Sequence, residues 1–248
     1  MNKGLLIIFN LLISINISYS QESRLDVTDR FLASNFKTFY SVDTELGYCM
    51  APIIEERVVT ELKDSTSFNY SYDSLSSYIK IRTSEDSLIR TFSWDRRSGG
   101  SWHGMASYAQ FKSKSGKINH QRLDSGDEGG TGEPTDVLIY DIHTINIENN
   151  SYYLMLGWGT HGGGQHHSLA RVYKINGETL TLCDSIFQGL KYLLVSANRA
   201  NKIELEYDTE LMTISYYRYE FDENTGFYKR EGIKEKWILN GGIFIKSN

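Results

Sequence analysis

The apolar positions of this chain change period near residue 78. Between residues 25 and 75 they recur at helical spacing. Val27, Phe31, Phe36, Phe39 and Tyr40 fall on one side of a predicted helix, with Asp26 or Thr28 available to cap its start. A second helix is predicted from Pro52, because proline suits a first helical position and Ile54, Val58 and Leu62 recur every fourth residue. The link between them, "SVDTELGYCMA", reads as a loop that holds Cys49. After Tyr78 the pattern alternates with period two. "YIKIRT", "SLIRTFSW", "MASYAQFKS", "GKINHQRL", "VLIYDIHTINI" and "SYYLMLGW" read as strands, and so do "SLARVYKI", "ETLTLCDSIF", "YLLVSA", "KIELEYD", "LMTISYYRYEFD", "KEKWIL" and "GGIFIK". Short turns such as "KSGK", "NNS", "ING" and "NTG" join them into a meander of antiparallel hairpins.

One turn occurs twice. "WDRRSGGSWHGMA" (94–106) aligns without a gap on "WGTHGGGQHHSLA" (158–170), sharing the tryptophan, a Gly-Gly pair, a histidine and an alanine. A looser third unit begins near Lys202 and lacks the Gly-Gly turn. Each unit reads as a three- or four-stranded sheet like a propeller blade, and three blades are too few to close the usual ring. The fold class is therefore mainly β, an antiparallel meander of blade-like (partial propeller-like) or sandwich sheets with an N-terminal helical segment. The predicted division is a leader at 1–20, helices over 21–78 and a β domain over 79–248. The glycine-rich acidic stretch "DSGDEGGTGEPTD" (124–136) reads as a long surface loop between the first two units.

The run "TSFNYSYDSL" (66–75), followed by "SEDSLIRTFSWDRRSGG" (84–100), resembles a family of uncharacterised secreted proteins from Bacteroidetes. There a phenylalanine-tyrosine segment precedes a strand ending in a serine-tryptophan-aspartate turn and a Gly-Gly. The resemblance covers about sixty to eighty residues. It implies an exported bacterial protein and brings no catalytic assignment. The second copy of the turn departs from the pattern, with Gly159 in place of the aspartate and extra histidines at His161 and His166.

Export is also read from the first residues. Lys3 supplies a positive start, "GLLIIFNLLISINI" (4–17) an apolar run too short to span a bilayer, and "SYS" (18–20) the small residues a signal peptidase reads. Cleavage is expected before Gln21. No cysteine sits there, which argues against a lipoprotein, and no later run is long and apolar enough to cross a membrane. The expected location is periplasmic or extracellular. A net charge of −5 gives no electrostatic footprint for nucleic acid, and the mixed runs "DRR" and "KREGIKEK" read as solvated faces. Seventeen tyrosines against two prolines favour strands. The two cysteines, Cys49 and Cys183, are candidates for one disulfide in an oxidising compartment, with two free thiols as the alternative.

Candidate chemistry gathers at the twin turns. Architecture alone explains the glycines and tryptophans. The histidines go further, since His103, His161 and His167 are candidate zinc ligands, although no recognised metal-binding spacing is present. Asp124, Asp127, Glu128 and Glu133 offer oxygens to calcium without matching an EF-hand. Trp94, Trp102 and Trp158, with His103, His161 and His167, are candidates for a ligand platform that would stack a glycan, peptide or protein partner. No nucleophile elbow or activated cysteine occurs. The functional expectation is a non-enzymatic binding or surface protein, with a metal-assisted hydrolase as the alternative.

Overall fold

A computed structural model describes residues 23–98, 100, 102–126 and 136–247. The leader expectation, and with it Gly99, Asp127, Glu128 and Glu133, lies outside the described residues.

Among the described residues two α-helices come first. Helix α1 spans Arg24–Ser41 and α2 spans Thr44–Lys63. The cap of α1 is Ser23, whose hydroxyl accepts from the Asp26 amide (3.1 Å) while its own amide donates to the Asp26 carboxylate (3.0 Å). This reciprocal pair satisfies two of the backbone donors that a helix start leaves free. The inward face of α1 is Asp29, Leu32, Ala33, Phe36 and Phe39, whereas Val27 and Phe31 stay about half exposed, at 50% and 52%. The predicted stripe is thus right at Phe36 and Phe39 and wrong at Val27, Phe31 and Tyr40, which are exposed. The cause at its start is Asp29, which is buried and accepts from the amides of Ser74 (2.9 Å) and Leu75 (2.8 Å). Helix α2 begins eight residues before Pro52, because Asp43 caps it by accepting from the Leu46 amide at 2.9 Å. The predicted loop around Cys49 is therefore helical, and Pro52 sits inside the helix.

Thirteen strands follow, in three antiparallel sheets taken in chain order. The first sheet holds β1 (Lys80–Thr83), β2 (Ile89–Asp95), β3 (Met105–Lys112) and β4 (Ile118–Arg122). The second holds β5 (Leu138–Ile147), β6 (Asn150–His161), β7 (Gln165–Asn176) and β8 (Thr179–Leu182). Strand β9 (Leu193–Asn198) also pairs with β7, along Gln165–Ala170. The third holds β10 (Glu206–Asp208), β11 (Thr213–Asp222), β12 (Phe227–Asn240) and β13 (Ile243–Ser247).

The layers are fixed by which residues alternate onto which face. Phe92, Trp94, Ala106 and Tyr108 turn toward the helices and pack with Phe36, Phe39, Val58 and Leu62. Ile89, Ala109 and Phe111 turn the other way, onto Ile142, Tyr153, Met155 and Leu169 of the second sheet. The far face of that sheet, with Leu154, Leu156, Ala170 and Val172, packs on Ile214, Trp237 and Phe244 of the third. The result is a mainly β, sandwich-like stack of helices, sheet, sheet and sheet, as the fold class expected, with three antiparallel sheets layered face to face. The middle sheet is covered on both sides, and β6 and β7 accordingly read as nearly continuous buried runs.

Cys49 is exposed on α2, while Cys183 follows β8 beside the core shared by the second and third sheets. Both thiols are free, the second of the two alternatives the sequence leaves, since the stack separates the helices from that core.

Candidate functional site

The twin turns occupy the same place in successive sheets, each joining a second strand to a third. They are built differently. Asp95 pairs with Met105, leaving a nine-residue loop, whereas His161 pairs with Gln165 and leaves three glycines, Gly162 to Gly164. Gly163 and Gly164 have φ of 69° and 74°, the left-handed conformation that glycine adopts without steric cost. In the first loop Gly100 is not left-handed, and Arg97 takes that conformation with φ 55°. The second hairpin is the tighter, so its histidines move into the strands.

The two turns touch. The His103 amide donates to the Thr160 hydroxyl at 2.7 Å, and that hydroxyl donates back to the His103 carbonyl at 3.3 Å. The His103 ring is held instead by the Asp95 carboxylate, at 2.7 Å from Nδ1. His161 stands exposed at the opposite tip, and His167 is buried in β7 across from Gly159. His166 is buried too: Trp158 donates to its Nδ1 at 2.7 Å, so its Nε2 carries the proton and donates to the Asn201 carbonyl at 2.8 Å. Burial lowers the His166 pKa and keeps the ring neutral.

Among the described residues no three His, Cys, Asp or Glu side chains are placed to hold a metal ion. The zinc set His103, His161 and His167 is therefore not assembled, since one ring is tied to Asp95, one is exposed and one is inside a strand. At Asp124 the calcium expectation meets a fully shielded carboxylate already engaged by Arg96 (3.0 Å), Arg122 (2.7 Å) and the Gly126 amide (2.9 Å). The aromatic platform does not form either. Trp94 is 2% exposed and belongs to the core, while Trp102 and Trp158 are half-buried.

Gly159 shows why the second turn departs from the first. A Cβ there would lie 2.7 Å from the Asp136 carbonyl and 2.7 Å from the His167 ring. Gly159→Ala is expected to cost roughly 1–3 kcal/mol through overpacking. Gly100→Ala, with no heavy atom within 4 Å of the added carbon, is expected to change little. Urea unfolding of the two variants checks this, and equal losses would contradict it.

The basic run read as solvated is instead structural. Arg97 donates to the Phe39 carbonyl and to the Val42 carbonyl (3.1 Å), which places a cation at the C-terminus of α1. Arg96, 4% exposed, donates to Glu55 (3.1 Å), Asp124 (3.0 Å) and the Met105 carbonyl (3.0 Å). Arg122 and Tyr108 complete the same network on Glu55, at 2.9 and 2.5 Å. Every charge in it has a partner.

Six residues earlier on β2, Arg90 is 5% exposed and has the opposite surroundings. Its Nη1 donates to the Phe68 carbonyl at 2.7 Å, while its Nε and Nη2 have no hydrogen-bond partner. The rings of Tyr72 and Phe92 each lie 4.9 Å from its guanidinium carbon. Burial pushes its pKa down to about 10, and it remains charged at neutral pH. The nearby acids are engaged elsewhere: Glu61 by Arg24 and Tyr72, Asp86 by Ser84 and Tyr153. Arg90 lines a pocket of about 310 Å³ between the segment after α2 and the β1–β2 hairpin, together with Asn69, Tyr70, Ser71, Thr83 and Ser87.

Sequence reasoning passes over this arginine, although a signal exists. Arg90, Phe92 and Trp94 alternate along one strand and so share its apolar face. Buried charges are ordinarily paired, and one that is not marks a candidate binding position. No protein-family profile, no curated protein and no solved structure matches the chain.

Proposed function

We propose that this is an exported, non-enzymatic binding protein whose ligand site is the pocket over Arg90, and that the ligand is a small anion. Export rests on the leader-like first twenty residues. The single observation that carries the binding reading is a buried guanidinium with two nitrogens unpartnered and no carboxylate beside it. Polar side chains around the pocket supply neutral hydrogen-bond donors and acceptors, as small-molecule sites commonly do. Of the twin-turn histidines, His103 and His166 are tied into the fold by hydrogen bonds, His167 is buried in β7 and His161 is exposed. For a metal-assisted hydrolase built on them, His161, His166 and His167 line one pocket, but among the described residues no three such side chains are placed to hold a metal ion.

If Arg90 serves a ligand, it contributes little to the empty fold. Desolvating the charge costs several kcal/mol, and this is offset by one charge-assisted hydrogen bond of about 1.5–3 kcal/mol and by ring contacts of up to about 2 kcal/mol each. Arg90→Met is therefore expected to lie within about 1 kcal/mol of the wild type in urea unfolding with chloride as the only anion. A loss of 3 kcal/mol or more would make Arg90 a structural residue and remove the support for a site.

A further inference from the structure

Resting on that reading, we infer that the pocket over Arg90 takes the carboxylate of a small organic monoanion, with the two carboxylate oxygens on Arg90 Nε and Nη2.

The free edge selects this ligand. The N–H bonds of Nε and Nη2 leave a guanidinium side by side and nearly parallel, the fork that accepts two oxygens of one anionic group. The third nitrogen is already bonded to the Phe68 carbonyl, which together with Tyr72 and Phe92 fixes the plane of the fork. What remains unbonded is thus one two-point contact of set orientation.

Charge separates a carboxylate from a phosphate. None of the residues lining the pocket besides Arg90 is charged. Burial first, and then the nearby charges of Asp26, Asp29 and Asp73, raise the pKa of the neighbouring Tyr70, so the carboxylates near the pocket make the surroundings negative. A single positive charge balances a monoanion. A dianionic phosphate would leave one charge unbalanced, with no second cation among the residues that line the pocket.

Size and polarity describe the rest of the molecule. A volume of about 310 Å³ is at the small end for ligand pockets, room for a short acid. Asn69, Ser71, Thr83 and Ser87 around the mouth are exposed and would hydrogen-bond hydroxyl or amide groups beyond the carboxylate. Arg90 Nε and Nη2 are shielded from water. Binding therefore requires the groups that cover this edge to move aside, and exposed side chains change rotamer in picoseconds to nanoseconds.

The test uses the full chain. Melting temperature is measured in sodium acetate, lactate and gluconate, and in sodium phosphate, sulfate and chloride, all at equal ionic strength. At least one carboxylate is expected to raise the melting temperature by about 3 °C or more over chloride, corresponding to roughly ten times its Kd. Arg90→Met and Arg90→Lys are both expected to abolish that rise, lysine because it keeps the charge without the fork. Should phosphate or sulfate stabilise the wild type while every carboxylate matches chloride, the ligand class is wrong and the anion site stands. Should no anion act on the wild type, or should carboxylates act equally on both variants, the inference and the binding reading fall together. If Arg90→Met does not fold, Arg90→Lys against wild type carries the same decision.

Discussion

Replacing Arg96 by methionine is expected to cost roughly 3–5 kcal/mol, the loss that follows when one member of a buried ion network is removed and its partners stay behind. The Asp124 side chain is fully shielded and Glu55 is 17% exposed, so neither regains full hydration when the guanidinium is gone. Arg122 still reaches both carboxylates but is itself 36% exposed, and it cannot replace the lost bonds to Glu55 and to the Met105 carbonyl. The network also joins α2, β3, β4 and the first twin turn, so its loss loosens the seat of the helices on the first sheet. A pH series adds a second check. Burial raises the Asp124 pKa, but the Arg96 charge, the Ser107 amide and Arg122 together outweigh it and leave the pKa below the usual carboxylate value. A depressed carboxylate pKa stabilises the fold above the unfolded value near 4 and loses that contribution as pH falls through the folded value. The deficit of Arg96→Met should therefore be full at neutral pH and shrink below about pH 4. A double-mutant cycle with Asp124→Asn isolates the pair, and a coupling below about 0.5 kcal/mol would show that the two act independently.

The comparison with Arg90 gives this prediction its weight. The same arginine-to-methionine change, six positions apart on one strand and its turn, is expected to be severe at the paired residue and nearly neutral at the unpaired one. Burial does not distinguish them, at 4% and 5% exposure. Partners do.

The strands are legible in the sequence because period-two alternation is a local property, and each of the thirteen segments it marks contains a strand. The stack shows locally too, in the change from alternating segments such as "KIELEYD" to the unbroken apolar run of "YYLML" in the doubly covered sheet. What escapes the sequence involves polar atoms buried with distant partners. Asp29 breaks the apolar stripe of α1 because its carboxylate caps a segment 45 residues away. Pro52 suggests a helix start, although Asp43 caps the true one. The run "DRR" looks solvated because Phe39, Glu55 and Asp124, which receive its arginines, lie elsewhere in the chain. The pocket over Arg90 was within reach of pattern alone, since a charge on the apolar face of a predicted strand is an inconsistency, and such inconsistencies concentrate at functional sites.

The twin tryptophans supply the second large effect. They align in sequence and occupy equivalent strands, yet Trp94→Ala is expected to cost about 3–5 kcal/mol and Trp158→Ala about 1–2 kcal/mol. Trp94 is enclosed between helices and sheet, stacked on Tyr108 with ring centroids 5.8 Å apart and meeting the edge of Phe36 at 5.6 Å. Its removal leaves a cavity at the junction of α1 and the first sheet that flanking aromatic rings cannot fill without leaving their rotamers. Trp158 is half-buried and held mainly by its bond to His166, so its loss exposes little core and leaves one buried acceptor unpaired. The difference follows from what covers each ring: Trp94 faces the helices, whereas Trp158 is half-buried beside His166, across from Ser168 rather than from the alanine its alignment suggests. Urea unfolding of the two variants, with iodide quenching of each remaining tryptophan set, checks both magnitude and exposure. Equal losses would mean that the shared sequence turn reports a shared environment, and the two-residue difference in register would then carry no energetic consequence.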